Sequence, residues 1–391
     1  MSRAEAVRHP ARHHGASPWP GDTGLWLAAA TLFVLGLVMV GSASVGIAER
    51  QYGQPFHFLL RQLAYAGVAL AFAYGALRVP LAAWERAGGG LLLLGMALLL
   101  LVLLPGIGRE VNGSARWLPL GPFNLQPSEL MKLFMVLYLA GYLVRRREEV
   151  RNAVRGFAKP MLILALVSLL LLLEPDFGAA AVLMATAMGL LFLGGVRWWQ
   201  FALLFLGVAA ALAALAVSSP YRLERITAFL DPWADPFASG FQLTQALIAF
   251  GRGEWFGVGL GNSIQKLFYL PEAHTDFLYA VLAEELGLAG ALLVLALFVV
   301  IVWRAFVVAR RAERAGMAFA AYVAYGGGIW LGVQAFVNMG VNMGILPTKG
   351  LTLPLMSYGG SSLVVSCVMV ALLQRVAMEV AAREGAGGRR R

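Results

Sequence analysis

Cysteine is almost missing from this 391-residue chain, and the only one, Cys367, lies inside an apolar run. A disulfide framework and a cysteine metal site are both excluded. Charge is scarce as well: 13% of residues are charged and 60% are hydrophobic. A soluble core of this size needs far more surface charge, whereas apolar runs near twenty residues recur along the chain. Acid is the rarer sign, which leaves a formal net charge of +10. The basic residues are dispersed and no nucleic-acid binding module accompanies them. No nucleophile elbow, Walker loop or zinc-protease motif occurs. GVGLGN at 257–262 has the glycines of a phosphate loop but no strand before it, so it reads as a turn.

What is present is the pattern of a polytopic membrane protein. Ten apolar segments fall near 25–44, 57–77, 87–104, 127–144, 160–173, 178–195, 199–218, 276–303, 317–341 and 355–378. Alternating the loops between two sides sorts 21 Lys and Arg to one and eight to the other, with Arg61 and Lys132 inside segments. The positive-inside rule then puts both termini in the cytoplasm. The expected fold is an all-α polytopic membrane protein of ten transmembrane helices. It divides into a cytoplasmic tail (1–22), a membrane domain (23–380) and a basic cytoplasmic tail (381–391). A large extracytoplasmic loop, 219–275, joins helices 7 and 8, and its piece QLTQALIAF suits a short interfacial helix.

Against this apolar background the polar residues stand out, because ionisable groups at membrane depth are expensive and usually functional. LPEAHTDFLYAVLAEELG (270–287) gathers Glu272, His274, Asp276, Glu284 and Glu285. Helical spacing puts Glu284 about 12 Å beyond Asp276, so no tight dyad forms and one base near the outer surface is left. Asp276 reads equally as a first-turn acid or helix cap. In QPSELMKL, Glu129 and Lys132 share a face three residues apart; the pair reads as structural or as part of a site. Gln334, Asn338 and Asn342 recur every four residues, and such a stripe either bonds neighbouring helices or walls a polar cavity. ILPTKGLTLPLMSYGGSS (345–362) breaks any helix with prolines and glycines, and broken backbone at membrane depth lines a cavity. With Arg61 and Arg116, Lys132 and Lys349 form a set of outer-half cations suited to a pyrophosphate-bearing lipid.

The arrangement of RWLPLGPFNLQPSELMKL, LEPDFG, LPEAHTDFLYAVLAEELG and LPTKGLTLPLMSYGGSS resembles the SEDS family (shape, elongation, division and sporulation), over roughly residues 20–380. The alanine of PEAHTDF and the lysine of TKGLTLPL bring it nearer the division branch than the elongation branch. The resemblance implies a ten-helix bacterial inner-membrane glycosyltransferase, multi-pass and acting at the division septum. Its substrate would be lipid II, polymerised into β-1,4 glycan strands with inversion and release of undecaprenyl pyrophosphate. It implies Asp276 as general base on the acceptor 4-hydroxyl. The supporting substrate-binding set is Arg61, Arg116, Gln126, Glu129, Lys132, His274, Gln334, Asn338, Asn342, Lys349 and Ser357, with Gln126 and Glu129 orienting Lys132. The partners implied are a class B penicillin-binding protein transpeptidase (FtsI-like) and the divisome proteins FtsQ, FtsL, FtsB and FtsN, with no nucleic acid. No cofactor is required; a divalent cation such as Mg or Mn would assist, though no ligand set is legible.

Two other functions fit a membrane protein of this kind. A lipid II flippase needs polar residues through the full membrane depth and a repeat for alternating access, and no inverted repeat is visible. A noncatalytic scaffold has no use for so many outer ionisable groups.

Overall fold

In lipid a run of Leu, Ala and Val has no polar partner for its backbone except itself, so such runs become helices. The computed structural model describes residues 21–388 apart from 112–113, 122, 153, 201, 204, 208–209, 211–228, 238–239, 268 and 348–349. In chain order the elements are α1 (Thr23–Tyr52), α2 (His57–Arg78), α3 (Leu81–Val102), β1 (Arg109–Val111), β2 (Ser114–Leu120), β3 (Phe123–Leu125) and α4 (Pro127–Arg145). There follow α5 (Arg147–Asn152), α6 (Val154–Leu173), α7 (Phe177–Leu193), α8 (Phe241–Gly253), α9 (Leu278–Arg314), α10 (Ala318–Asn342) and α11 (Gly360–Gly388). Among the described residues eight helices are long and apolar enough to cross a membrane: α1–α4, α6 and α9–α11. Of the other two expected segments, α7 is shorter at 17 residues, and 199–218 lies largely outside the described residues.

The central spans are α4, α10 and α11, while α2, α3 and α6 turn leucines and phenylalanines outward. QLTQALIAF does form a helix, α8. Three expectations need correction. RAFVVARRAER, which falls between the expected segments 276–303 and 317–341, is not a loop but the last turns of α9, which ends at Arg314. The tail expected from 381 continues α11 to Gly388. A helix satisfies its backbone in water as well as in lipid, and Arg311 and Arg314 suit the negative end of the α9 dipole. Lastly, the stretch between α3 and α4 is a three-stranded antiparallel sheet, with Leu118 opposite Leu125 and Glu110 opposite Ala115.

α9 is broken near its first third. Gly287 has φ 69° and ψ −169°, and the segment after α8 enters the gap. Val258 and Gly259 donate to the carbonyls of Glu284 and Glu285, and Leu288 and Ala289 donate to those of Glu254 and Trp255. A strand-like insert thus completes the interrupted ladder. Only glycine fits where these chains cross: a Cβ on Gly287 would stand 2.4 Å from the Gly257 nitrogen, and one on Gly257 2.1 Å from the Glu285 carbonyl oxygen. The adjoining acids brace the insert. Buried Glu284 accepts from the Ile264 nitrogen at 3.1 Å and pairs with Arg252 at 3.3 Å. Glu285 accepts from Ser42 of α1 and from Lys266, both at 2.7 Å.

Candidate active site

Three non-helical pieces meet beside α10: the turn 271–277, the segment 350–359 and the sheet. The turn delivers Asp276 just ahead of α9, whose N-cap is Phe277 with no side-chain cap bond. The helix-cap reading of Asp276 is therefore set aside. Its main-chain carbonyl accepts from Asn338 Nδ2 and Asn342 Nδ2, each at 2.9 Å, and Asn342 Oδ1 accepts from the Ala280 nitrogen at 3.1 Å. Asn338 also donates to the Leu351 carbonyl at 2.5 Å, and Gln334 to that of Thr352 at 3.0 Å. The amide stripe thus does more than bond helix to helix. It satisfies broken backbone on both sides of the site, which is what bare carbonyls at this depth demand. Gln334, Asn338 and Asn342 are all buried, and their side-chain nitrogens hold this broken backbone in place.

With its main chain held, the Asp276 carboxylate is half-buried and makes no hydrogen bond among the described residues. A Cβ on Gly350 would lie 3.3 Å from Asp276 Oδ2 and 4.0 Å from Arg116 Nη1, so carboxylate and guanidinium flank one point. The sheet places Arg116 there: on β2, it donates through Nε to the Glu174 carbonyl at 3.1 Å and through Nη2 to that of Pro175 at 2.6 Å. Burial first, then the negative charge of Glu272, raise the Asp276 pKa to about 7, with Asp176 adding and Arg116 opposing. That is the range of an efficient general base at neutral pH.

Asp176 and Glu174 are the residues that motif reasoning passed over. Asp176 caps α7 by accepting from the Ala179 nitrogen at 3.1 Å and ties in α4 by accepting from Ser128 Oγ at 2.9 Å. An Asp after Pro at a helix start is a readable cap signal. Glu174 is 1% exposed, and neither carboxyl oxygen has a hydrogen-bond partner among the described residues. Burial, with Asp176 adding and Arg116 opposing, raises its pKa to about 8.

The other candidates divide. Lys132 and Glu129 do pair, at 2.8 Å, and Lys132 also donates to Gln334 Oε1 at 2.7 Å. Both are buried, so the pair ties α4 to α10. Gln126 does not orient Lys132: its side chain donates to Asp176 at 3.4 Å and its backbone nitrogen to Ser361 Oγ at 2.9 Å. His274 is packed between Phe58 and Tyr358, ring centroids 4.6 and 5.3 Å away, and its burial lowers its pKa. Ser357 Oγ accepts from the Leu353 nitrogen at 2.9 Å, closing its own loop. Arg61 bonds Tyr65 Oη at 3.3 Å on the Phe58 side of that cluster. Lys349 lies outside the described residues. Among the described residues no group of three or more His, Cys, Asp or Glu converges as a metal site.

Residues 22–382 match the FtsW/RodA/SpoVE family, described as "Cell cycle protein". A Nitrosococcus halophilus protein named "Probable peptidoglycan glycosyltransferase FtsW" is 65% identical over 365 residues, 93% of this chain and 94% of that protein. One of the same name from Thioalkalivibrio sulfidiphilus is 62% identical over 92% of this chain and 90% of its own. Among solved structures, a chain from work described as "Structural coordination of polymerization and crosslinking by a peptidoglycan synthase complex" superposes with TM-score 0.75 at 32% identity. That match covers 92% of this chain and 98% of the other. The crystal structure of Thermus thermophilus rod shape determining protein RodA gives 0.67 at 31% identity, covering 91% and 96%.

Proposed function

We propose a mechanism on one premise: the chain belongs to the FtsW/RodA/SpoVE family of cell cycle proteins. It is a peptidoglycan glycosyltransferase and an integral inner-membrane protein, similar along nearly its whole length to proteins named for that activity. The finer reading is that it polymerises lipid II, with Asp276 as the general base. The carboxylate takes the proton of the acceptor sugar's 4-hydroxyl as the oxygen attacks C1 of the donor. The C1–O bond to undecaprenyl pyrophosphate breaks, its electron pair leaves with the pyrophosphate, and the configuration inverts to β-1,4. Arg116 meets the departing anion, and no enzyme nucleophile is needed. The observation that carries this is the Asp276 carboxylate itself: half-buried, without a hydrogen bond among the described residues, and beside Arg116.

In this reading ten helices cross the membrane, the Asp276 end faces outward and both termini face the cytoplasm at the septum. Arg61 and Lys349 draw the anionic substrate toward the site, and Lys132 with Glu129 keeps α4 and α10 in place. The working partner is a class B penicillin-binding protein; a solved neighbour from a complex described as joining polymerization to crosslinking supports that choice. FtsQ, FtsL, FtsB and FtsN complete the assembly. Mechanistically no step needs a metal, and Mg or Mn would act on the substrate pyrophosphate. Transport gains no support from the space beside Lys132, which is too narrow for water between α4 and α7. Purified protein in vesicles with lipid II, alone and with its transpeptidase, separates the two functions. Glycan polymer is expected; lipid II that only redistributes between leaflets would make the protein a transporter.

A further inference from the structure

At the far end of α9 from Asp276 lies a second cavity. Where the ends of α4 and α9 meet the start of α10, a cavity of about 410 Å³ is lined by Leu143, Val144, Arg147, Glu313, Ala321 and Tyr322, among others. Small-ligand sites run from about 300 to 1,000 Å³. The wall carries both signs of charge. Arg147 and Glu313, both exposed residues, line the same space and form no ion pair with each other or, for Arg147, with any described residue. Glu313 Oε2 accepts from Tyr325 Oη at 3.0 Å, and Oε1 has no hydrogen bond among the described residues.

Opposite charges that share a wall without neutralising each other match a ligand that carries both signs. The rest of the lining is largely aliphatic, which suits a glycerol and acyl stem better than a free ion. Basic pockets between membrane helices seat anionic phospholipid headgroups; the carboxylate of Glu313 in this wall calls for a cation beside the phosphate. We propose that this cavity holds the headgroup of a zwitterionic aminophospholipid, with its phosphate on Arg147 and its ammonium on Glu313. The site is separate from the catalytic one and does not depend on the role of Asp276.

The test is native mass spectrometry of the delipidated full-length protein with equimolar phosphatidylethanolamine and phosphatidylglycerol. Each charged hydrogen bond is expected to contribute about tenfold to retention. Wild type should retain phosphatidylethanolamine about tenfold over phosphatidylglycerol; Glu313→Gln should erase that preference and leave phosphatidylglycerol retention unchanged. Arg147→Gln should weaken both lipids, and Tyr325→Phe, which keeps the carboxylate, should preserve the preference. The proposal fails if wild type shows no preference, if Glu313→Gln or Arg147→Gln binds like wild type, or if Tyr325→Phe also loses selectivity. It fails too if soluble phosphoethanolamine displaces the lipid at equal concentration, which would make the occupant a water-soluble zwitterion. Polymer synthesis by the same variants is read separately, so failure here leaves the catalytic reading standing.

Discussion

At the scale of single residues, environment sets two carboxyls apart. Asp276, with a pKa raised to about 7, is the group whose ionised form the proposed mechanism needs. Below that value it is protonated and cannot take a proton. The initial rate with lipid II should therefore fall about tenfold per pH unit on the acid side of 7 and level off above it. A flat profile between pH 5.5 and 8 would remove Asp276 from the base role. Glu174 differs: its folded pKa of about 8 lies above the ordinary 4.5. A raised acid contributes stability that is complete below its unfolded value and is lost as pH rises through the folded one. Glu174→Gln keeps the neutral shape and should raise thermal stability at pH 8.5, by on the order of 2 kcal/mol, while changing little at pH 5. Equal melting shifts at both pH values would show that Glu174 is not a buried neutral acid. Of these two residues only Asp276 was legible in the sequence, through the motif around it. Glu174 sat at the end of an apolar run, and burial of both its oxygens depends on neighbours from elsewhere in the chain.

At the scale of elements, helices dominate the architecture but broken segments make the site. The four-residue spacing of Gln334, Asn338 and Asn342 revealed a common face; what lay opposite that face was invisible to periodicity. The structure puts carbonyls there, those of Asp276, Leu351 and Thr352. Asn342→Leu removes one of two donors from the Asp276 carbonyl and the acceptor of the Ala280 amide. Leaving such groups unpaired costs about 1–3 kcal/mol each, and a carboxylate displaced by a fraction of an ångström loses rate before it loses binding. The expected result is a kcat at least tenfold lower with KM for lipid II nearly unchanged. A folded variant with normal kcat would sink the positioning role. The sheet carrying Arg116 was missed although Asn112-Gly113 is a hairpin signal, because β1 and β3 are three residues each and leave almost no alternation to read. Basic residues led to the opposite error at RAFVVARRAER, where charge marked the membrane boundary and the helix ran past it.

For the whole molecule, hydropathy and charge placement recovered the eight long spans, since lipid allows such runs no other backbone solution. The break at Gly287 and the insert that fills it are tertiary facts, with only the glycines of GVGLGN as a trace. Together they make a frame in which α8, the insert and the first turns of α9 are braced by Glu284 and Glu285, and α10 holds the turn that carries Asp276 from the other side. One measurement bears on that account most directly. Wild type and Asp276→Asn, each purified with its transpeptidase partner and shown to be folded, are supplied with lipid II and the glycan products separated by length. Wild type should make long strands and Asp276→Asn none above background; strands from Asp276→Asn at near wild-type rate would contradict the account.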